Sequence, residues 1–206
     1  MAATAPVPSE RTLAALREAV QTCKACGLYR DATQAVLGDG DEGAEVMFVG
    51  EVPGDKEDLA GEPFVGPAGR VLDQAMERAG IDRRRVFVTN VVKHFKFEPR
   101  GKRRIHQKPN AEEIAACRPW LQAELEMTRP KVVVCLGATA AKALIGSKFR
   151  VTRDRGRWVE SDLAPRVMGT VHPSSIIRAP DDEARHAAME DFVRDLEVAA
   201  EAIAEL

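Results

Sequence analysis

The chain has 206 residues, of which 30 are Lys or Arg and 32 are Asp or Glu, so its formal net charge is −2. Hydrophobic residues make up 45%, which is ordinary for a globular protein, and the length fits one domain over residues 1–206. No apolar run of about 18 residues and no basic, apolar leader is present, so neither a membrane span nor a signal peptide is predicted. We expect a cytoplasmic protein, and the near-neutral charge argues against a wholly basic nucleic-acid binder.

Hydrophobic periodicity predicts four buried strands separated by helices. An amphipathic helix at residues 10–21 comes first, and a short loop with Cys23 and Cys26 follows it. Strands are predicted at residues 46–49, 86–92, 131–136 and 166–171, and helices at 69–79, 111–127, 138–145 and 182–204. Asn110 and Glu113 form the predicted capping box of the helix at 111. Apolar strands that alternate with helices indicate a three-layer α/β/α sandwich with a mostly parallel, four-stranded central sheet.

The carboxyl ends of the predicted strands carry chemically useful groups. Gly50 and Glu51 end the first strand, Asn90 lies at the end of the second, and His172 follows the fourth. Ligands of parallel sheets bind at this edge, so the sequence predicts a site there. The segment that begins at Gly137 lacks the second glycine and the hydroxyl residue of a P-loop, which excludes that kind of nucleotide site.

Residues 93–108 concentrate positive charge. They contain seven Lys or Arg and one Glu, a net charge of +6, so the other 190 residues carry −8. A solvated loop is the alternative interpretation, but a run this dense at a strand's carboxyl end favours contact with phosphates. His106 ends this basic run. Neighbouring cations should lower its pKa, which would keep a lone pair available for nucleophilic or base chemistry.

Four cysteines offer a candidate metal site. Cys23-x-x-Cys26 precedes the first strand, which is a metal or cluster spacing and argues against a thioredoxin-like redox pair. Cys135 lies in the middle of a predicted strand, where a free cysteine behaves as a small hydrophobic residue. Cys117 lies on a helix and can face the Cys23–Cys26 loop. Together the three thiols leave a four-ligand site one ligand short.

Four segments, in the same order, resemble the motifs of the uracil-DNA glycosylase superfamily, and the match covers about nine-tenths of the chain. They are Gly50–Gly54 with Glu57 and Asp58, Gly61–Gly66, Thr89–Asn90 and His172–Ser174. The first is similar to the iron–sulfur branch called family 4. Two departures from family 4 are similar to UdgX-type glycosylases, which become covalently attached to uracil-DNA. His94 replaces a cysteine ligand, and a basic insertion ends at His106. Val52 stands where that type commonly has Gln.

The resemblance implies a 4Fe-4S cluster and a set of site residues. The implied cluster ligands are Cys23, Cys26, His94 and Cys117. The implied base-binding residues are Phe64, which stacks on uracil, Asn90, which reads its edge, and Gly50 and Gly54, which lie against it. The implied catalytic residues are His172, which donates to uracil O2, Glu51, which favours the cationic sugar, and His106, which attacks C1′. The implied phosphate contacts are Lys102, Arg103, Arg104, Ser174 and Ser175.

The expected partner is uracil-containing DNA, preferably single-stranded. The protein is expected to be a monomer, and no membrane is expected among its partners. Two rival functions stay open at this point. An ordinary hydrolytic family 4 glycosylase would share every feature except His106 and the basic insertion. A non-catalytic DNA-binding module, with zinc or a cluster as a structural staple, would leave Glu51, Asn90 and His172 unexplained.

Overall fold

The computed structural model describes residues 4–205, so residues 1–3 and 206 of the predicted domain lie outside the described part. The central sheet has five strands in the order β2–β1–β5–β7–β6, and a separate antiparallel hairpin is formed by β3 and β4. The strands are β1 (Val46–Gly50), β2 (Val86–Asn90), β3 (Phe97–Arg100), β4 (Arg103–His106), β5 (Val132–Leu136), β6 (Trp158–Val159) and β7 (Arg166–Thr170).

Eight α-helices and two short 3-10 helices are present among residues 4–205. The α-helices are α1 (Leu13–Val20), α2 (Asp55–Ala60), α3 (Pro67–Arg78), α4 (Ala111–Thr128), α5 (Ala138–Leu144), α6 (Val151–Asp154), α7 (Pro173–Ile177) and α8 (Asp182–Ala204); the 3-10 helices are Gly27–Arg30 and Arg83–Arg85. The predicted capping box of α4 is confirmed, because Asn110 Oδ1 accepts from the Glu113 N–H and the Glu113 carboxylate accepts from the Asn110 N–H. No helix in this part of the chain is long and apolar enough to cross a membrane.

Side chains alternate between the two faces of the central sheet. Met47 on β1 packs with α1, α4 and α5 on one face, whereas Phe48 packs with α3 and α8 on the other. The strands β2, β1, β5 and β7 are parallel and wholly or almost wholly buried. This confirms the predicted three-layer α/β/α architecture. It also means that the loops after these four strands emerge at one edge of the sheet.

The predicted number of four strands is wrong, because a fifth strand lines the edge of the sheet. β6 pairs antiparallel with β7, with Trp158 opposite Met168 and Val159 opposite Val167. Two residues are too few to show the alternation from which a strand is predicted. The pairing is a tertiary contact that only the folded chain reveals.

The basic segment forms a hairpin, where the sequence predicted a loop. β3 and β4 pair in the register Phe97 opposite His106 and Arg100 opposite Arg103. Gly101, with φ of 58°, occupies the first position of the two-residue turn, where hairpins favour a positive φ. Because charged residues and a proline are poor strand formers, local propensity gives no sign of this hairpin. The pairing of β3 with β4 fixes the position of His106, which lies opposite Phe97 at the end of the hairpin.

Candidate active site and nucleic-acid interface

The carboxyl edge of the sheet brings together the predicted groups of three strands. Gly50 at the end of β1 lies opposite Asn90 at the end of β2. Glu51 follows directly, and its side chain is largely buried. His172 follows β7, which is separated from β1 by β5. The site therefore spans about three strand spacings, roughly 15 Å, and is wide enough for a nucleotide.

Gly50 borders both predicted base contacts. A Cβ atom at Gly50 would lie 2.8 Å from Phe64 Cζ and would also collide with Asn90 Oδ1. Phe64 itself has a φ of 58°, a rare conformation for a non-glycine residue. Gly69 on α3 packs directly against the Phe64 carbonyl, where no side chain would fit. The turn that carries the Phe64 ring is therefore held in place by α3, with the ring close to the Asn90 amide.

In the loop after β1, Gly54 lies against a buried carboxylate. A Cβ atom there would lie 2.6 Å from Glu57 Oε2, so this glycine makes room for a buried carboxylate. Glu57 Oε1 in turn accepts a hydrogen bond from the Gly66 N–H at 3.0 Å. Glu57 thereby ties the loop after β1 to the turn that carries Phe64.

His172 is held as a neutral imidazole with a defined orientation. Its Nδ1 accepts from the Ser174 N–H at 3.2 Å and lies 2.8 Å from Ser174 Oγ. A ring whose Nδ1 is an acceptor carries its proton on Nε2. Burial lowers the pKa of His172 to about 4, with His106 and Arg178 contributing in the same direction. At neutral pH the ring is thus an uncharged Nε2–H donor, and it stacks on the Phe64 ring at a centroid distance of 6.2 Å.

The two serines that were predicted as phosphate contacts bond to His172 within this structure. Ser174 binds its ring, and Ser175 Oγ donates to the His172 carbonyl at 2.7 Å. Both hydroxyls therefore stabilise the start of α7. Ser175 is the more exposed of the two.

His106 faces Glu51 across the mouth of the site. Its Nε2 lies 4.0 Å from Glu51 Oε1, and 47% of the His106 side chain is exposed. Glu51 Oε1 is buried and has no hydrogen-bond partner within residues 4–205. The pKa of His106 is lowered, as predicted, but the main cause is desolvation; Arg178 acts in the same direction and Glu51 opposes it. The predicted cause, the cations of its own hairpin, is therefore wrong.

Arg104 anchors the hairpin to the body of the protein. Its guanidinium donates to Asp55 Oδ1 at 2.5 Å and to Asp58 Oδ2 at 2.6 Å. It also lies over the rings of Phe95 and Phe97, 5.2 Å from each centroid. Since Asp58 is fully buried, this contact pins β4 against α2. Of the three predicted phosphate-binding cations, Lys102 and Arg103 are the exposed ones.

A buried ion pair behind Asn90 was not predicted from the sequence. Lys93 Nζ donates to the Asn90 carbonyl and Glu124 Oε2, at 2.6 Å each, and to Thr89 Oγ1 at 2.7 Å. The side chains of Lys93 and Glu124 are 0% exposed, so Lys93 is no part of the phosphate-facing surface. The signal that could have found the pair is Glu124 itself, a carboxylate on the buried face of α4 beside Leu121.

Comparisons with known proteins assign the family. The profile described as "Uracil DNA glycosylase superfamily" matches residues 37–197. The chain belongs to the uracil-DNA glycosylase superfamily. It is 38% identical to a type-4 uracil-DNA glycosylase of Thermotoga maritima over 184 residues, which cover 89% of this chain and 92% of that protein. It is also 38% identical to the type-4 enzyme of Sulfurisphaera tokodaii over 196 residues, 91% and 85% of the two chains.

A type-5 uracil-DNA glycosylase of Pyrobaculum aerophilum is 33% identical over only 99 residues, 47% of this chain and 40% of that protein. The superfamily resemblance predicted from the motifs is confirmed, and both 38% identical relatives, which cover about nine-tenths of this chain, are type-4 enzymes. The UdgX-type assignment rests on His94 and the basic hairpin, and it stays a prediction.

The candidate cluster ligands lie around one buried region near α4. Cys117 Sγ accepts from the Lys93 N–H and Cys23 Sγ accepts from the Trp120 Nε1–H, each at 3.2 Å. Burial raises the pKa of Cys117 to about 12, and the nearby Cys26 and Cys23 thiols add to the shift. His94 is buried and directly follows Lys93. Cys135 lies inside β5, which agrees with its predicted role as a core residue.

The donor set is three thiols and one imidazole, which is the number of ligands that a 4Fe-4S cluster needs, one for each iron atom. Within residues 4–205 no three His, Cys, Asp or Glu side chains are grouped closely enough to hold one metal ion. The N–H groups of Lys93 and Trp120 that donate to cysteine sulfurs also suit a cluster, because hydrogen bonds to the ligand sulfurs tune the properties of such clusters.

Proposed function

We propose that this protein is a DNA-repair glycosylase that excises uracil from DNA and stays covalently attached to the abasic sugar through His106. Superfamily membership and the type-4 relatives support the uracil-DNA glycosylase activity. One observation carries the covalent step: the half-exposed imidazole of His106 lies 4.0 Å from the buried, unpartnered Oε1 of Glu51. A preference for single-stranded DNA, a monomeric state and a cytoplasmic location belong to the same proposal.

Base recognition is assigned to Phe64 and Asn90. A uracil inside a duplex is out of reach, so the base is flipped out or presented on a single strand. Phe64 stacks on the ring, and the Asn90 amide donates to O4 and accepts from N3–H. Cytosine presents the opposite pattern there and would leave both amide groups unpaired in a buried site, which costs about 1–3 kcal/mol for each group.

Bond cleavage is assigned to His172 and Glu51. As the N1–C1′ bond breaks, its electron pair moves onto uracil, and negative charge develops on O2. The neutral Nε2–H of His172 donates to that oxygen, and a donor aimed at developing charge is typically the largest single catalytic contribution. The sugar becomes cationic at the same moment, and the Glu51 carboxylate stabilises it. Gly54 lets the loop that carries Glu51 approach the base.

Capture of the sugar is assigned to His106 on the hairpin. One nitrogen of His106 supplies an electron pair for a new bond to C1′, and the imidazole releases the proton of its other nitrogen to the Glu51 carboxylate, whose Oε1 lies 4.0 Å from Nε2. The uracil anion takes up a proton from solvent. The lowered pKa of His106 keeps the ring unprotonated and nucleophilic at neutral pH. Arg104 holds the hairpin in this position, whereas Lys102 and Arg103 on its exposed surface contact phosphates.

A hydrolytic enzyme with turnover is the second candidate, because two relatives at 38% identity are type-4 glycosylases. The two candidates share the base pocket and differ only in what attacks C1′. Water would attack in the hydrolytic case and leave the protein free.

A denaturing gel distinguishes the candidates. Incubation with a single-stranded oligonucleotide that contains one uracil is expected to give a retarded band that survives heat and detergent. Matched oligonucleotides with thymine or cytosine at the same position should give none. Free uracil without a retarded band would identify the hydrolytic enzyme, and the absence of both products would refute the glycosylase assignment.

We also propose that Cys23, Cys26, His94 and Cys117 hold a 4Fe-4S cluster. When bound, the cluster serves as a structural staple between the N-terminal loop and α4. Protein purified without oxygen is expected to be brown, with visible absorption that a reductant bleaches. Cys117→Ser should lose most of that absorption, whereas the matched core variant Cys135→Ala should keep it. Colourless protein containing one equivalent of zinc would overturn the cluster assignment.

A further inference from the structure

A second basic segment lies outside the site described so far. Residues 147–157 contain five Lys or Arg and one Asp, a net charge of +4 in 11 residues of an otherwise acidic body. Of these cations only Arg155 is tied into the protein core, by an ion pair with Asp195 at 2.7 Å. The side chains of Lys148 and Arg157 are exposed, and within residues 4–205 neither has a carboxylate at ion-pair distance. Their charge is therefore available to an external anion.

These residues border an open groove of about 550 Å³. Three cations, Lys148, Arg153 and Arg157, line it together with the aromatic residues Phe149 and Trp158. Phe149 is buried, whereas Trp158 packs against the core on the α8 side with only part of its surface and stays partly exposed, so Trp158 is the aromatic residue of the groove with accessible surface. Asp154 also lines the groove; it pairs with Arg153 at 2.7 Å and interacts more weakly with Arg157, so Lys148 and Arg157 keep more of their charge for an external anion. Cations beside an exposed aromatic ring are the usual components of a single-strand binding groove.

The groove lies near the catalytic edge of the sheet. Trp158 pairs with Met168 on β7, and the Gly156 N–H donates to the Gly169 carbonyl. His172 follows the same strand only three residues after Gly169. With about 3.3 Å per residue and one strand spacing of about 4.8 Å, Arg157 lies roughly 10–12 Å from His172. A single strand covers that distance in about two nucleotides, so one that leaves the base pocket past His172 reaches this groove.

We propose that this groove binds the backbone of the single-stranded DNA that flanks the uracil, with Lys148 and Arg157 on phosphates and Trp158 stacked on a base. The proposal rests on the proposed DNA substrate. It adds a contact on the β6 side of the site, opposite the hairpin that carries His106. The DNA would then be held at both ends of the catalytic edge, with the flipped uracil between them.

The test uses the full-length protein and a thymine oligonucleotide of about 20 nucleotides without uracil. Tryptophan fluorescence should be quenched by this DNA, because Trp120 is fully buried and Trp158 is accessible. Lys148→Ala/Arg157→Ala should raise the Kd about tenfold and lower the salt slope by about 1.4, the value for two lost phosphate contacts on single strands. Trp158→Phe should lose the DNA-dependent quenching. Arg83→Ala/Arg84→Ala, which removes the same charge at the opposite edge of the sheet, should leave the Kd and the salt slope unchanged.

An unchanged salt slope in the Lys148/Arg157 double variant would overturn the groove assignment. Equal changes of Kd and salt slope in the Arg83/Arg84 control would overturn it as well. Failure of the proposed function would look different. It would leave the uracil oligonucleotide intact with wild-type protein, whereas the thymine oligonucleotide measurement does not depend on excision.

Discussion

Replacing His106 with alanine is expected to abolish the retarded band on a denaturing gel while uracil is still released from DNA. The base pocket and the leaving-group donor are built from Phe64, Asn90 and His172, and within residues 4–205 none of these makes a hydrogen bond to the imidazole of His106. Without the imidazole, water reaches C1′ near Glu51, so the variant should release more than one uracil per protein molecule. The measurement is a time course of free uracil beside the gel, with the substrate in tenfold excess.

His186→Ala is the matched control, because it removes an exposed histidine from α8. It should form the adduct at the wild-type rate. An adduct that persists in His106→Ala would show that another residue attacks C1′. Loss of both adduct and uracil release in a variant that remains folded would show that His106 acts in bond cleavage itself. His106→Ser should behave like the alanine variant and release uracil repeatedly.

Lys93→Met is expected to destabilise the protein by about 3–5 kcal/mol, because it leaves the Glu124 carboxylate buried without its cation. The matched control is Lys96→Met, which breaks a partly exposed pair with Glu113 at 2.9 Å and should cost at most about 1 kcal/mol. Denaturant unfolding at pH 7 measures both changes. A loss below about 1 kcal/mol in Lys93→Met would contradict the buried charge pair.

The double variant Lys93→Met/Glu124→Leu separates stability from positioning. Removing both charges should recover most of the lost stability, since apolar replacements of buried pairs are often neutral or better. The Asn90 carbonyl still loses its hydrogen bond from Lys93 Nζ. If that bond positions the Asn90 amide, the recovered protein should discriminate uracil from cytosine less well and bind the uracil oligonucleotide with a raised Kd. Wild-type selectivity in a protein of restored stability would limit Lys93 to a structural role.

Most of the fold followed from hydrophobic patterning. The buried strands β1, β2, β5 and β7 are near-continuous apolar runs, and such runs between helices form parallel sheets covered on both faces. Because parallel strands place their carboxyl ends at one edge, the pattern alone assigns Glu51, Asn90 and His172 to a common site. The strand β6 and the hairpin β3–β4 escaped prediction because both are short and hold together through pairing, not through an apolar pattern.

The sequence by itself determined the layered fold and the edge at which the chemistry lies, because hydrophobic periodicity and strand direction are local properties of the chain. Only the tertiary structure decided what each cation does. Lys93 and Arg104 both belong to the basic segment, yet one is buried against Glu124 and the other binds Asp58. Their partners lie 31 and 46 residues away in the chain. A long cationic side chain forms an ion pair with the carboxylate that folding brings near it. The spacing of charges along the sequence does not identify that carboxylate.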